Sequence, residues 1–203
     1  MIIKCIPTGM FHSNSYIVGD NGEGVVIDSG VNSREILNEA ESSGLKIKYI
    51  ILTHSHIDHV CTVEETRKAL GAKVAIHELE AGALTDSYLN GSELFGKGLT
   101  CNEADVLLKD GDVIEVRGLE FEIIHTPGHT KGGICIKVNN CIFTGDTLFK
   151  MSIGRSDLPG GNQTVLINSI RSKLMTLPDE TEVFPGHGPG TKIGYEKKNN
   201  PFL

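Results

Sequence analysis

Nothing in the 203 residues runs apolar for the roughly 18 consecutive positions that a membrane-spanning helix needs, so no membrane partner is expected. The opening Met1-Ile2-Ile3-Lys4-Cys5-Ile6-Pro7 lacks the basic-then-apolar order of a secretory leader. Positive charge is also short. The 19 Lys and Arg face 26 Asp and Glu, a formal net charge of -7, which speaks against nucleic acid as a partner held by phosphate attraction. The cysteines Cys5, Cys61, Cys101, Cys135 and Cys141 are odd in number and include no C-x-x-C pair. They read as reduced thiols, which points to a cytoplasmic location. Repeats, low-complexity tracts and linkers are missing too, and a single domain over residues 1–203 is expected, with the oligomeric state left open.

What is present is ordinary in bulk and patterned in detail. A hydrophobic fraction of 39% and a charged fraction of 22% suit a globular chain. Many of the 24 glycines follow apolar runs, where a strand turns sharply. Strands are expected at Ile2 to Pro7, Ser15 to Val18, Val25 to Asp28, Lys48 to Thr53 and Lys73 to Ile76. Further strands follow at Asp105 to Leu108, Asp112 to Val116, Leu119 to His125, Gly133 to Val138, Cys141 to Thr144 and Thr181 to Phe184. Arg117-Gly118 and Asn139-Asn140 look like two-residue hairpin turns. Helical spacing marks Ser33 to Ser43, with Ser33 as cap, then Asp58 to Leu70 and Asn162 to Leu174. Glu80 to Glu103 reads as helical pieces and loops able to cover a site. Hairpins interleaved with helices predict an α/β (α+β) chain: a four-layer αββα sandwich of two mixed sheets flanked by helices.

The densest chemistry is Thr53-His54-Ser55-His56-Ile57-Asp58-His59, directly after the apolar run Tyr49-Ile50-Ile51-Leu52. In an extended segment, residues i and i+2 face one side, so His54 and His56 can share a metal. Asp58 and His59 start the next helix and turn toward a second position. Read alone, the stretch also suits a solvated loop with Asp58 as a helix cap. Three further segments repeat the pattern of strand, glycine and ligand: His125-Thr126-Pro127-Gly128-His129, Thr144-Gly145-Asp146 and Pro185-Gly186-His187. Strand ends of this kind can converge on one crevice. Imidazole with carboxylate suits Zn, Fe or Mn rather than Ca or Mg. His125 lies inside its strand and reads as structural. Asp28 ends another strand and reads as a partner that orients a ligand histidine. Cys61 reads as an apolar filler rather than a ligand.

With these residues in place, the chain resembles the metallo-β-lactamase superfamily, whose signature is H-x-H-x-D-H followed by His, Asp and His. The resemblance spans nearly the whole chain. It implies that His54, His56 and His129 bind one divalent metal, that Asp58, His59 and His187 bind a second, and that Asp146 bridges them. Zn is the first expectation, with Fe or Mn as alternatives. The implied nucleophile is a metal-bridging hydroxide, with Asp58 taking or holding the proton.

Gly145-Asp146-Thr147-Leu148-Phe149, followed by Gly154-Arg155-Ser156-Asp157, is similar to the glyoxalase II (hydroxyacylglutathione hydrolase) branch in its short form without a C-terminal helical domain. That similarity implies a thioesterase acting on S-lactoylglutathione or a related low-molecular-thiol ester, with Lys150 and Arg155 as substrate-binding residues. The family's Lys and Tyr at the binding loop are replaced here by Arg155 and Asp157. Arg155 can hold a carboxylate or form an ion pair with Asp157. The rival expectation is a mononuclear Fe(II) persulfide dioxygenase using His54, His129 and Asp146. A β-lactamase is disfavoured because a bridging Asp146 departs from that pattern.

Overall fold

The computed structural model describes residues 1–96 and 98–203. Six strands form the first sheet: β1 (Ile2–Ile6), β2 (Ser15–Asp20), β3 (Glu23–Ile27), β4 (Lys46–Ile51), β5 (Lys73–His77) and β6 (Val106–Leu108), neighbouring in that order. The first three pair antiparallel and the last three continue in parallel from β3. The second sheet begins with a meander of β7 (Val113–Val116), β8 (Leu119–His125), β9 (Ile134–Val138) and β10 (Cys141–Gly145). A short ribbon of β11 (Leu148–Phe149) and β12 (Ser152–Ile153) leaves this sheet. The chain returns as β13 (Glu182–Pro185), parallel to β10, and closes with β14 (Thr191–Lys192).

Alternation along the strands divides the apolar residues among three layers of packing. Tyr16, Val25, Ile27 and Ile51 meet Phe121, Ile123, Ile136 and Phe143 between the sheets. Their neighbours Ile17, Val26, Ile50 and Val74 face outward onto α1 (Ser33–Ser42) and, beyond a four-residue α2 (Ile57–Val60), onto α3 (Val63–Leu70). On the far side Cys135, Ile142 and Val183 pack under Leu166, Ile170, Leu174 and Ile193. These belong to α5 (Gln163–Ser169), its π-helical extension Ile170–Leu174, and α6 (Ile193–Asn199), α4 being the short Ala81–Leu84. Strands covered on both faces are apolar at every position, which explains the continuous β-branched runs. Two mixed sheets flanked by helices is the architecture expected.

Two local expectations change. The cap of α1 is Asn32, whose side chain accepts from the Arg34 amide at 2.9 Å, while Ser33 turns to Glu65. The helix expected over Asp58 to Leu70 is broken at Cys61-Thr62. There Thr62 donates its amide to Ser29 O (3.0 Å) and its hydroxyl to Val31 O (2.7 Å), and these long-range bonds outweigh helical spacing. The strands β11, β12 and β14 and the helix α6 had no sequence signal strong enough to predict them. Glu80 to Glu103 does hold helical pieces, α4 and a 3₁₀ turn over Ser92–Phe95; Lys97 lies outside the described residues. Among the described residues no helix is long and apolar enough to cross a membrane.

Candidate metal centre

The C-terminal ends of β4, β8, β10 and β13 open on the same side, and each is followed by the histidines and aspartates singled out above. His54, His56 and His129 offer ligand atoms to one point; Asp58, His59 and His187 converge on another, and His54, His59 and Asp146 form a third overlapping group. Asp146 lies between the two triads. Its Oδ1 is 3.3 Å from His59 Nε2, and its Oδ2 is 3.6 Å from His129 Nε2 and 3.5 Å from His187 Nε2. His56 Nδ1 and His129 Nε2 are 2.9 Å apart, and His187 Nε2 is 3.1 Å from Asp58 Oδ2. Ligand atoms about 2.0–2.1 Å from one tetrahedral ion sit about 3.3 Å from each other, so these spacings suit cations.

The fit can be tested on the protein atoms alone. His54 Nε2, His59 Nε2 and Asp146 Oδ1 are buried without a hydrogen-bond partner. Buried polar atoms are normally paired, so orphans gathered at one place mark a donor set built for a cation. Two of the rings are also turned by a bond on the other nitrogen. His59 Nδ1 donates to Asp28 Oδ2 at 2.8 Å and His129 Nδ1 donates to the Arg155 carbonyl at 2.6 Å, which turns Nε2 of both toward the cluster. Asp28 therefore does what its position at a strand end suggested.

Charge is shared across the cluster. Burial, reinforced by the neighbouring imidazoles, drives His54 well below the usual histidine range, and burial with His129 pushes His56 down to about 4. Burial also opposes charge on His59 and His187. Asp146 and Asp28 nevertheless hold His59 well above its ordinary value, and hydrogen bonds to Asp146 and Asp58 lift His187 to about 9. Burial alone would raise the Asp146 and Asp58 carboxyls. The adjacent His59 and His187 bring Asp146 well below the carboxylate range and Asp58 more modestly below it.

Two glycines make the geometry attainable. Gly145 (φ 45°) turns the chain out of β10 in a conformation that disfavours a side chain, and a Cβ there would press on Thr53. A Cβ on Gly186 would run into Asp146 Oδ1 and come within 2.8 Å of His59 Cε1. The residue that follows, His187, is clamped from the first sheet. Asn14 accepts nothing from it but donates its side-chain amide to the carbonyls of Pro185 (2.9 Å) and Gly188 (3.0 Å), on either side, and Tyr16 donates its hydroxyl to Pro185 O at 2.6 Å.

Other expectations separate here. Cys61 donates its thiol to Gly30 O and belongs to none of the ligand groups. His125 stacks on His77 with ring centroids 4.2 Å apart and bonds to Lys131 O, away from the cluster. Arg155 lines the 710 Å³ cavity over the cluster, but its guanidinium makes two 2.8 Å bonds to Asp157. Lys150, expected beside it, does not line that cavity. It sits in a separate one with Tyr195, its Nζ 5.8 Å from that ring's centroid, because the β11–β12 turn points it outward.

Sequence reasoning missed Glu80, buried after β5, which accepts from the Ser55 amide and hydroxyl (3.1 and 2.6 Å) and from the Gly132 amide (2.8 Å). It ties the His54–His56 loop to the loop after His129. A carboxylate just past a strand end was the available signal.

Residues 8–187 match the Metallo-beta-lactamase superfamily, and the chain belongs to it. This supports metal-dependent hydrolysis in general terms. The chain is 35% identical over 212 residues to the hydroxyacylglutathione hydrolase GloC of Haemophilus influenzae, covering 100% of this chain and 98% of that protein. It is similar to the crystal structure of the BLEG-1 B3 metallo-beta-lactamase, with a TM-score of 0.95, 38% identity, and coverage of 100% and 99%. It is also similar to the structure of TTHA1623 in a di-iron-bound form, with a TM-score of 0.85, 34% identity, and coverage of 98% and 100%.

Proposed function

We propose that the chain is a thioester hydrolase of the glyoxalase II kind, acting on esters of low-molecular thiols. The observation that carries this reading is the Asp146 carboxylate set between two triads, in each of which one buried histidine, His54 or His59, has an Nε2 without a partner. His54, His56 and His129 would hold one divalent ion, Asp58, His59 and His187 the other, with Asp146 shared. Zn is the first choice; the di-iron form of TTHA1623 supports Fe as an alternative. When bound, such ions would supply a water whose pKa is lowered toward about 7 and a polarised carbonyl.

The chain's own groups do the rest. Asp28 and the Arg155 carbonyl orient His59 and His129, so neither ring needs to reorganise during the reaction. Asp58, kept ionised by its histidine neighbours, would take or hold the proton of a nucleophilic water. No serine or cysteine nucleophile is required.

The similarity to BLEG-1 favours one second substrate class, a β-lactam amide, at the same site. A mononuclear Fe(II) dioxygenase would leave the Asp58, His59 and His187 group without an ion. Metal analysis of the purified protein, run beside a thioester panel, a chromogenic cephalosporin and an oxygen electrode with glutathione persulfide, separates the three. Two ions per chain and thioester turnover are expected. A single iron with oxygen uptake, or faster turnover of the cephalosporin than of any thioester, would overturn the proposal.

A further inference from the structure

The cavity over the cluster has two apolar flanks. Phe11, Leu94 and Phe95 form one; Phe149, Ile153 and Leu158 form the other. On the first flank Phe11 is 54%, Leu94 67% and Phe95 54% exposed, far more surface than packing explains. The Phe11 and Phe95 rings meet across two separate loops, with centroids 5.0 Å apart and planes tilted by 52°. Phe11 and His12 both hold left-handed backbone (φ 55° and 62°), which side chains with a Cβ disfavour. Strain that turns an aromatic ring outward over a reaction cavity is a feature of sites rather than of cores.

Polar groups in the same wall are already engaged. Asn90 is buried, gives its amide to Leu99 O and accepts from the Ser92 amide. Arg155 is the only Lys or Arg lining the cavity among the described residues, and Asp157 takes one edge of its guanidinium through Nε and Nη2. A glutathionyl group brings two carboxylates, an ammonium and two peptide bonds, and such groups lose affinity when desolvated without partners.

We infer that the site selects thioesters carrying an uncharged, apolar substituent, held between the Phe11–Phe95 flank and the Phe149–Ile153–Leu158 flank, over thioesters of glutathione. This rests on the thioester-hydrolase reading above. The cluster sits at the floor of the same cavity, so the apolar arm belongs to the substrate itself rather than to a protein partner.

The test uses two matched ester series and S-lactoylglutathione. In one series the acyl group grows from acetyl to hexanoyl on N-acetylcysteamine; in the other the thiol grows from ethanethiol to hexanethiol under a fixed acetyl group. In at least one series kcat/KM should rise about two- to fourfold per methylene, the scale of partial to full methylene burial. Phe95→Ala and Phe11→Ala should flatten that slope through KM, with Phe95→Leu retaining most of it. The unreactive thioether of the best substrate should bind the metal-free protein in calorimetry, about tenfold more weakly after Phe95→Ala. Asp157→Asn, by freeing Arg155, should raise kcat/KM for S-lactoylglutathione about threefold, within the range of an exposed ion pair. Flat slopes in both series, or S-lactoylglutathione ahead of every uncharged ester, would overturn the inference and leave thioester hydrolysis standing. If no thioester is cleaved, the proposed reaction falls and the inference falls with it.

Discussion

Asp28→Asn is the sharpest probe of the metal centre, because it changes no volume and touches no ligand atom. Asp28 is buried, with φ 58°, a conformation that Asn tolerates as well as Asp. Its Oδ1 accepts from the Thr53 amide at 2.7 Å; its Oδ2 accepts from the Thr53 hydroxyl at 2.8 Å and from His59 Nδ1 at 2.8 Å. An amide cannot satisfy all of these donors. With its NH₂ toward Thr53 N, two donors face each other in the interior. With its NH₂ toward His59, the threonine hydroxyl can rotate, but the imidazole must move its proton to Nε2, the atom aimed at Asp58 and Asp146. A hydrogen bond to a charged group is worth about 1.5–3 kcal/mol, and supporting partners of ligands typically govern 10–100-fold in affinity. Binding of the second metal equivalent should therefore weaken about 10–100-fold, with the first much less affected. Chelator competition at neutral pH measures both constants, and circular dichroism checks that the fold is kept. Unchanged affinity for both equivalents would refute the argument that Asp28 sets the proton position on His59.

Gly186→Ala should lower metal occupancy and cost about 1–3 kcal/mol in urea unfolding, since the new methyl overlaps Asp146 and His59, neither of which has room to yield. Metal loading measured by mass spectrometry at the wild-type level would count against this. Asp58→Ala and His59→Ala should each cut thioester turnover at least about 100-fold while leaving thermal unfolding cooperative. Metal uptake should release protons near pH 7 and strengthen as pH rises toward about 9, because His59 and His187 are held protonated in the metal-free chain while His54 and His56 are already neutral. The same raised pKa on His187 stabilises the metal-free fold fully below pH about 6.5, and this contribution disappears as pH climbs through about 9. Calorimetry in buffers of different ionisation enthalpy detects the release; identical heats would contradict it. Phe121→Ala, emptying the space between the sheets, should cost about 3–5 kcal/mol by chemical denaturation.

The candidate site was legible because its parts repeat one local pattern. Apolar strand, glycine and ligand recur at His129, Asp146 and His187, and the spacing inside His54 to His59 adds its own periodicity. The hairpin at Arg117-Gly118, with φ of 51° and 80°, was legible for a similar local reason. What escaped depends on contacts between distant residues. Thr62 breaks a helix by bonding to Ser29 and Val31, and nothing near it in sequence announces this. Lys150 and Arg155 looked equivalent as cations on one loop, yet Lys150 falls on the turn between two two-residue strands, which sends it away from the cavity. The aromatic contact between Phe11 and Phe95 joins loops 84 positions apart, so periodicity had no means of revealing it.

Asn14 gives the centre an unusual dependence. His187, the last candidate ligand in the chain, is positioned by hydrogen bonds from a residue near its start, across the seam where the two sheets abut. Slippage along that seam would displace one histidine while sparing the others, so substitutions deep between the sheets would alter the candidate metal site without ever approaching it.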